Sequence, residues 1–540
     1  MEVFPRRPLL AALICCSVIA LAACGGGGGG GGGNNPTTAT DSGTDTNWQP
    51  GNFLPASTFA NRCVSPRSGT DANGDPYGDV KGTRLDENNW LRSMSHELYL
   101  WYDEIEDIDP ADFDDSLDYF AQLKTFALTP SGNQKDRFHY TVPTEQWNAQ
   151  TQSGVFVGYG LQWALVSLEP PRRAVVAYTD SGAPLEVVDS NGQPVNITRG
   201  AEVLTVDGVD LAYSNDVDTL NAGMWPAQAD EQHSFEIRPL GATDSVTVTL
   251  TAAANASKPV QHVEYFDNAT TGKRIGYLLF NDHIATAEPA LIDAVNQLGD
   301  WGVDELVLDL RYNSGGYLYI ASQLAYMIAG DMPTAGQPFE QVVWNDQHPT
   351  TDPVTDQPLQ PMPFYTVTSG NVGTQADLPL PSLNLPRVYV LSGSSTCSAS
   401  ESIINSLRGV GVDVVLIGAT TCGKPYGFYG LDNCGTMYFT IQFKGVNASG
   451  FGDYTDGFVP AGTTGTDADV HGCKVGDDFD HLLGDESEGR LATAIYHIET
   501  GSCGTLSASA YSSGAVGSSL SAGGARVSKP LWRSNRIMVR

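Results

Sequence analysis

Ser395-Thr396-Cys397-Ser398-Ala399-Ser400-Glu401 is the stretch on which the fold of this chain turns. The apolar run before it, 388–391, reads as a buried strand, and 398–407 after it reads as a helix. A serine at such a turn is presented at the carboxyl edge of a sheet, beside helix-end N–H groups suited to hold an oxyanion. A further strand pattern spans 412–417 and leads into Thr421-Cys422-Gly423-Lys424. Strand, helix and strand bring Ser398 and Lys424 to one edge although they stand 26 positions apart. A lysine acts as a base only when neutral, which requires desolvation or a neighbouring cation to lower its pKa. The rings of Tyr426 and Phe428 suit a dry pocket for it.

Strand and helix patterns alternate outward from this centre, beginning at residue 272. Strands are expected at 275–280 and 305–310, with a helix over 288–298 that carries Pro289 in its first turn. The second strand runs into Asp309-Leu310-Arg311-Tyr312-Asn313-Ser314-Gly315-Gly316, and a helix to 328 follows. Residues 331–386, rich in Pro, Thr and Asp, read as a long insertion, and 437–443 as β. Upstream, 154–252 has short β-like runs broken by Gly, Pro and Asn-Gly. Gly158-Tyr159-Gly160-Leu161 opens that stretch, and Arg199-Gly200-Ala201-Glu202-Val203-Leu204-Thr205-Val206-Asp207-Gly208 follows about forty residues on. Glycines let a backbone approach an anion closely, and a neighbouring strand edge takes an extended peptide. The pair resembles a PDZ domain. Residues 86–126 read as helical, with Trp90, Met94, Leu98 and Trp101 on one face and a break at Asp109-Pro110.

Arg6 and Arg7 precede an apolar segment over 9–23, the layout of a secretory signal. It ends in Leu21-Ala22-Ala23-Cys24, which resembles a bacterial lipobox, so Cys24 is the expected acylation site. The Gly-rich residues 24–55 then form a tether. The expected location is the bacterial cell envelope, lipid-anchored. A formal net charge of −33 opposes nucleic-acid binding through a general basic surface. Cys63, Cys397, Cys422, Cys434, Cys473 and Cys503 form an even set in an exported chain, which implies disulfides. Of the 15 pairings open to six cysteines, the expectation is Cys422–Cys434, Cys473–Cys503 and Cys63–Cys397. No close C-x-x-C spacing occurs among them, so no metal is expected. Residues 504–540 form a low-complexity tail, basic at its end and expected to be unstructured.

The Thr-Cys-Ser-Ala-Ser-Glu block, the Gly423-Lys424 pair, the Leu310-Arg311-x-Asn313-x-Gly315-Gly316 turn and the preceding PDZ-like stretch together resemble the C-terminal processing (tail-specific) serine peptidases. The resemblance covers roughly 86–500 and implies a multidomain α+β architecture. Its parts would be a helical cap (56–150), a PDZ-like β-rich domain (154–252) and an α/β peptidase domain of the ClpP/crotonase type (260–503). It also implies Ser398 as nucleophile, Lys424 as base, and oxyanion donors from Ala399 and the Gly315-Gly316 turn. Glu401 and Thr421 would support the site, and Gly158, Tyr159, Gly160 and Leu161 would bind a peptide carboxylate. Protein or peptide substrates follow from this, and no cofactor is required. The chain departs from the family at Phe428, where a Gln is usual, and its Ser-to-Lys interval is one residue longer.

Other readings of the same residues stand beside this one. Ser394, Ser395, Ser400 or Cys397 are alternative nucleophiles, and His139, His283 or His471 would serve a Ser-His-Asp triad. Asp309 and Arg311 read as braces of the strand end. A catalytically silent lipoprotein of the same fold, binding an apolar ligand or a peptide, is the rival function.

Overall fold

The computed structural model describes residues 48–71, 74–461, 467–504 and 536–538. The expected signal segment, Cys24 and most of the expected tether fall outside the described residues.

A seven-stranded sheet organises the C-terminal half. Its order is Val260–Asn268, Lys273–Phe280, Glu305–Asp309, Arg387–Ser392, Asp413–Gly418, Asp469–Lys474 and Val459–Ala461. Only the first pair is antiparallel. Alternation along the strands makes the two faces. Leu278, Phe280, Leu306, Leu308, Val390 and Leu416 join one core with the helices Ala287–Trp301, Leu318–Ala329 and Ala399–Gly409. Tyr277, Leu279, Val307, Leu391 and Ile417 face the other way, under the helix Gly489–Thr500 through Leu491 and Ala494. Covering both faces is why these strands read as continuous apolar runs. A parallel sheet also collects its strand-to-helix turns at one edge.

Residues Tyr159–Ala252 build a core of their own. Their sheet runs Val246–Thr251, Gln232–Arg238, Glu202–Val206, Arg173–Thr179 and Leu161–Ser167, with the helix Val217–Met224 against it. Leu161–Ser167 is the terminal strand of that order. Within the 331–386 insertion, Pro338–Trp344 and Met362–Pro363 join Phe443–Val446 and Tyr426–Gly427 in a four-stranded sheet.

Three expectations are corrected. Of the stretch 86–126 expected to be helical, the α-helices are Arg84–Leu98 and, after the break, only Ser116–Phe120. Thr83 and Asp86 form a capping box at the start. Tyr99 leaves helical geometry, the Leu100 N–H donates to the Ile441 carbonyl, and Trp101 packs edge-on against Tyr426 instead of lying on the helix face. Tertiary contact therefore ends a helix that periodicity alone would continue. The disulfides are Cys63–Cys434, Cys397–Cys422 and Cys473–Cys503. Only the last matches expectation. Cys434 sits in the turn between Leu431–Asn433 and Thr436–Phe439, where the segment from Asn61 to Arg67 is docked. Asn61 N–H donates to Asn433 and Arg67 pairs with Asp432 there. Cys422 is carried away from this turn to Cys397, beside Ser398. Finally, the tail is not wholly without structure, because Arg536–Met538 forms a strand paired with Gly315–Tyr317.

Glu340 is a buried carboxyl on the strand Pro338–Trp344, accepting a hydrogen bond from Ser402 at 2.8 Å. Burial pushes its pKa up from 4.5 to about 7, against the Ser402 bond. The folded state thus holds this proton more tightly than the unfolded chain. The stabilisation is complete below the unfolded value and is lost as pH rises through about 7. Glu340→Gln stays neutral, so its urea midpoint should fall less between pH 5 and 8 than wild type. The difference should reach ~3 kcal/mol at the alkaline end. Identical pH profiles would mean that Glu340 is not the titrating group.

Candidate active site

Ser398 lies at the turn between the strand Arg387–Ser392 and the helix Ala399–Gly409, with φ 64° and ψ −122°. A positive φ at a residue with a β-carbon costs on the order of 1–3 kcal/mol and persists only where the surroundings over-determine it. Here they do. Thr396 Oγ1 donates to the Leu310 carbonyl at 2.8 Å, Cys397 N–H to the Asn313 carbonyl at 3.1 Å, and Ser400 Oγ to the same carbonyl at 3.0 Å. The Ser398 N–H itself donates to Glu401 at 2.9 Å. Ala399 opens the helix, where N–H groups have no intrahelical partner.

Lys424 follows the strand Asp413–Gly418 and is fully buried. Its Nζ has no hydrogen-bond partner among the described residues, the Ser398 hydroxyl included. It lies 4.1 Å from the Phe428 ring centre and 5.0 Å from that of Phe138. Burial pushes its pKa well below the ordinary lysine value, while Asp136 and then Glu401 oppose that shift. Aromatic faces offer an ammonium some attraction but no acceptor for its protons.

One carboxylate spans the two segments. Glu401, wholly buried, accepts from the N–H groups of Ser398 (2.9 Å), Gly423 (2.8 Å) and Lys424 (2.8 Å) and from Thr421 Oγ1. Burial raises its pKa and those four donors pull it back down. The Cys397–Cys422 disulfide adds a covalent tie between the same segments. The carboxylate of Glu401 and these two sulfurs lie within 4.8 Å of one another, but the disulfide takes the sulfurs out of metal ligation.

The Gly315-Gly316 turn is built on Asn313. Its Oδ1 accepts from Gly315 N–H at 3.0 Å and meets His283 Nδ1 at 2.9 Å. A Cβ on Gly316 would stand 2.3 Å from the His283 carbonyl oxygen, and its φ is +143°, so glycine is required there. Buried His283, its pKa lowered to about 3 chiefly by desolvation, belongs to this turn. His139 is held by the Phe120 carbonyl and Thr440, and His471, on the strand Asp469–Lys474, meets the His497 ring edge-on. Of the other serines, Ser395 is exposed and Ser400 is committed to Asn313.

Asp309 and Arg311 brace the strand end within a buried ionic cluster. Arg311 binds Asp309, Asp477 and, with both Nη atoms, Glu488. Arg199 reaches Asp477 at 2.7 Å and the Tyr312 hydroxyl at 2.5 Å. The Arg199-Gly200 motif of the β-rich unit is thereby joined to the residues leading into Gly315. At Gly200, φ is +84° and a Cβ would meet the Phe479 carbonyl oxygen at 2.1 Å, so this contact depends on glycine. The Gly158–Leu161 loop lies nearby. Tyr159 OH donates to the Gly223 carbonyl, and one cavity is lined by Gly158, Tyr159, Leu161, Trp163, Tyr312 and Ser314.

Sequence reasoning missed Asp136, Arg137 and Phe138. Asp136 is buried, accepts from Tyr99 OH at 2.7 Å, and is the charge that most opposes the Lys424 shift. Arg137 donates to the carbonyls of Cys422 and Thr455. No spacing rule links these residues to a lysine almost three hundred positions later.

Residues 274–428 match the model of peptidase family S41, and residues 86–140 match that of the peptidase S41 N-terminal domain. The chain carries the domains of peptidase family S41. Ser398 and Lys424 fall within the first match and Asp136 to Phe138 within the second. The carboxyl-terminal-processing protease of a Picosynechococcus species is 26% identical over 247 residues, 44% of this chain and 50% of that protein. The chloroplastic carboxyl-terminal-processing peptidase 1 of Arabidopsis thaliana is 26% identical over 243 residues, 44% of this chain and 42% of that protein. The chain thus spans about half the length of these curated relatives. A solved Bacteroides fragilis structure, described as an S41 protease, shares the fold. Its TM-score is 0.54 at 21% identity, covering 79% of this chain and 98% of that one.

Removing the Glu401 carboxylate leaves three backbone N–H groups and a hydroxyl buried without their acceptor. Glu401→Ala should lower unfolding free energy by about 3–5 kcal/mol in a denaturant titration, and Glu401→Gln by less. A loss under about 1 kcal/mol for the alanine variant would show that the brace does not hold the site.

Proposed function

We propose that this S41 chain is a serine endopeptidase with Ser398 as nucleophile and Lys424 as general base. The observation that carries the reading is the joint state of the two residues. A serine held at positive φ at a helix start and a fully buried lysine whose Nζ has no hydrogen-bond partner among the described residues share one carboxylate brace. A buried lysine that is merely structural would be expected to find an acceptor. Here the cost of burial is met by keeping the amine neutral, the form a base requires.

Ser398 Oγ attacks the scissile carbonyl and its proton passes to Lys424 Nζ. The oxyanion is held by the Ala399 N–H and an N–H of the Gly315-Gly316 turn. Collapse of the adduct breaks the C–N bond, and the Lys424 proton goes to the leaving amine. Water, deprotonated by the same lysine, then releases the acyl group and regenerates Ser398. Nζ and Oγ are not hydrogen-bonded in this state, as is common before substrate closes a site. Phe428, in place of a polar third partner, keeps the amine dry instead of orienting it.

The β-rich unit is read as a PDZ-like recruiting domain. Its Gly158–Leu161 loop takes a peptide carboxylate, and the terminal strand Leu161–Ser167 takes an extended segment. The shared cavity with Tyr312 and Ser314 supports this reading, since it leads from that loop toward the Gly315-Gly316 turn. Cys24 anchors the chain by lipid to the bacterial cell envelope. No described helix is long and apolar enough to cross a membrane.

The test is proteolysis of a denatured model protein by wild type, Ser398→Ala and Lys424→Ala. Both variants should lose at least ~10³-fold in rate while remaining folded. The wild-type rate should rise with pH through a limb well below the ordinary lysine range, as Lys424 deprotonates. Equal behaviour of the three folded proteins would refute the dyad and favour a silent peptide- or apolar-ligand-binding lipoprotein of the same fold.

A further inference from the structure

The strand Gly315–Tyr317 has two edges at the proposed site. One is taken by His283: the Tyr317 N–H donates to the His283 carbonyl at 2.8 Å, and the His283 N–H donates to the Gly315 carbonyl at 3.2 Å. Successive residues of a strand turn their N–H and C=O groups to opposite edges. Gly316 therefore turns its own pair to the other edge, where the proposed oxyanion donor would meet a substrate carbonyl. That edge is already occupied. Arg536–Met538 lies along it in parallel, with Gly315 opposite Arg536, Gly316 opposite Ile537 and Tyr317 opposite Met538. The same segment packs beside Tyr426–Gly427, the strand that begins two residues after Lys424.

We propose that the C-terminal segment of this chain is an intramolecular ligand of its own active-site cleft, a tethered strand lying where an extended peptide substrate would lie. The inference rests on the reading of Gly316 as an oxyanion donor. Recognition is by backbone pairing, which accepts many sequences and suits both a self-segment and a foreign peptide. The connection fits as well. Residues 505–535 supply 31 residues, enough to cross the molecule at up to about 3.3 Å per residue. A tether of this kind holds a ligand at an effective concentration on the order of millimolar. Charge favours the same docking, because residues 526–540 carry five basic and no acidic side chains in a chain of net charge −33. A substrate must displace the tail, so the tail raises the substrate concentration needed for turnover without changing the chemical step.

Amide hydrogen exchange on the full-length Ser398→Ala chain tests the docking without catalysis. Residues 315–317 and 536–538 should both be protected, to the same degree on dilution. Met538→Pro removes the N–H that the parallel register directs at the Gly316 carbonyl. In that background, exchange at 315–317 should accelerate by ~10-fold or more, and a synthetic peptide of residues 530–540 should restore protection. Unchanged exchange at 315–317 in Met538→Pro overturns the proposal, and protection that fades on dilution overturns its intramolecular form. With Ser398 intact, Met538→Pro should cleave a denatured model protein several-fold faster at low substrate and equally at saturation. If neither protein cleaves yet exchange responds to Met538→Pro, the peptidase reading falls and the docking stands. If both cleave alike and exchange is unchanged, the docking falls and the peptidase reading stands.

Discussion

The Glu401 carboxylate is buried with no ion pair among the described residues, and its oxygens are taken up by three backbone N–H groups and a threonine hydroxyl. An isolated charge in that position would cost several kcal/mol, and oriented backbone donors are the means of offsetting it. Those donors belong to two segments that emerge from different strands of the sheet. By satisfying both at once, Glu401 fixes the start of the helix Ala399–Gly409 against the loop that carries Lys424. The left-handed backbone of Ser398 and the partnerless amine of Lys424 are both unfavourable alone. They persist because this brace, the disulfide Cys397–Cys422 and the Asn313 carbonyl leave the turn no easier geometry.

A second polar cluster does for the domains what Glu401 does within the sheet edge. Arg311 is wholly buried among Asp309, Asp477 and Glu488, and Arg199 enters the same cluster from the β-rich unit. Glu488 also caps the helix Gly489–Thr500 by accepting from the Leu491 N–H. Removing one member would strand the others without water, so the cluster behaves as one unit. It also lies directly before the Gly315-Gly316 turn. Arg199 is thereby connected, through Tyr312 and Asp477, to the residues that lead into that turn.

Much of this was readable in the sequence where the signal is local. The strands and helices from Lys273–Phe280 to Asp413–Gly418 follow from apolar runs and turn residues within two or three positions, because a parallel sheet covered on both faces leaves an unambiguous pattern. The helix Arg84–Leu98 was overextended for the opposite reason. Trp101 keeps the helical spacing, yet its ring finds Tyr426, and the backbone departs to make that contact. Periodicity reports which residues are apolar, not which partner each one meets.

The sequence by itself determined the sheet, the serine at a strand-to-helix turn and the lysine that returns to the same edge, since each depends on residues close together in the chain. It also determined that six cysteines follow residue 24. Only the tertiary structure decided their partners, pairing Cys63 with Cys434 across 371 positions and Cys397 with Cys422 beside the serine. The same holds for Asp136 and Phe138 at the lysine, Arg199 at Asp477, and Arg536–Met538 on the strand Gly315–Tyr317. These are long-range contacts selected by burial and by the need to satisfy buried polar groups. Neither requirement leaves a spacing in the sequence, because the residues involved become neighbours only once the chain has folded.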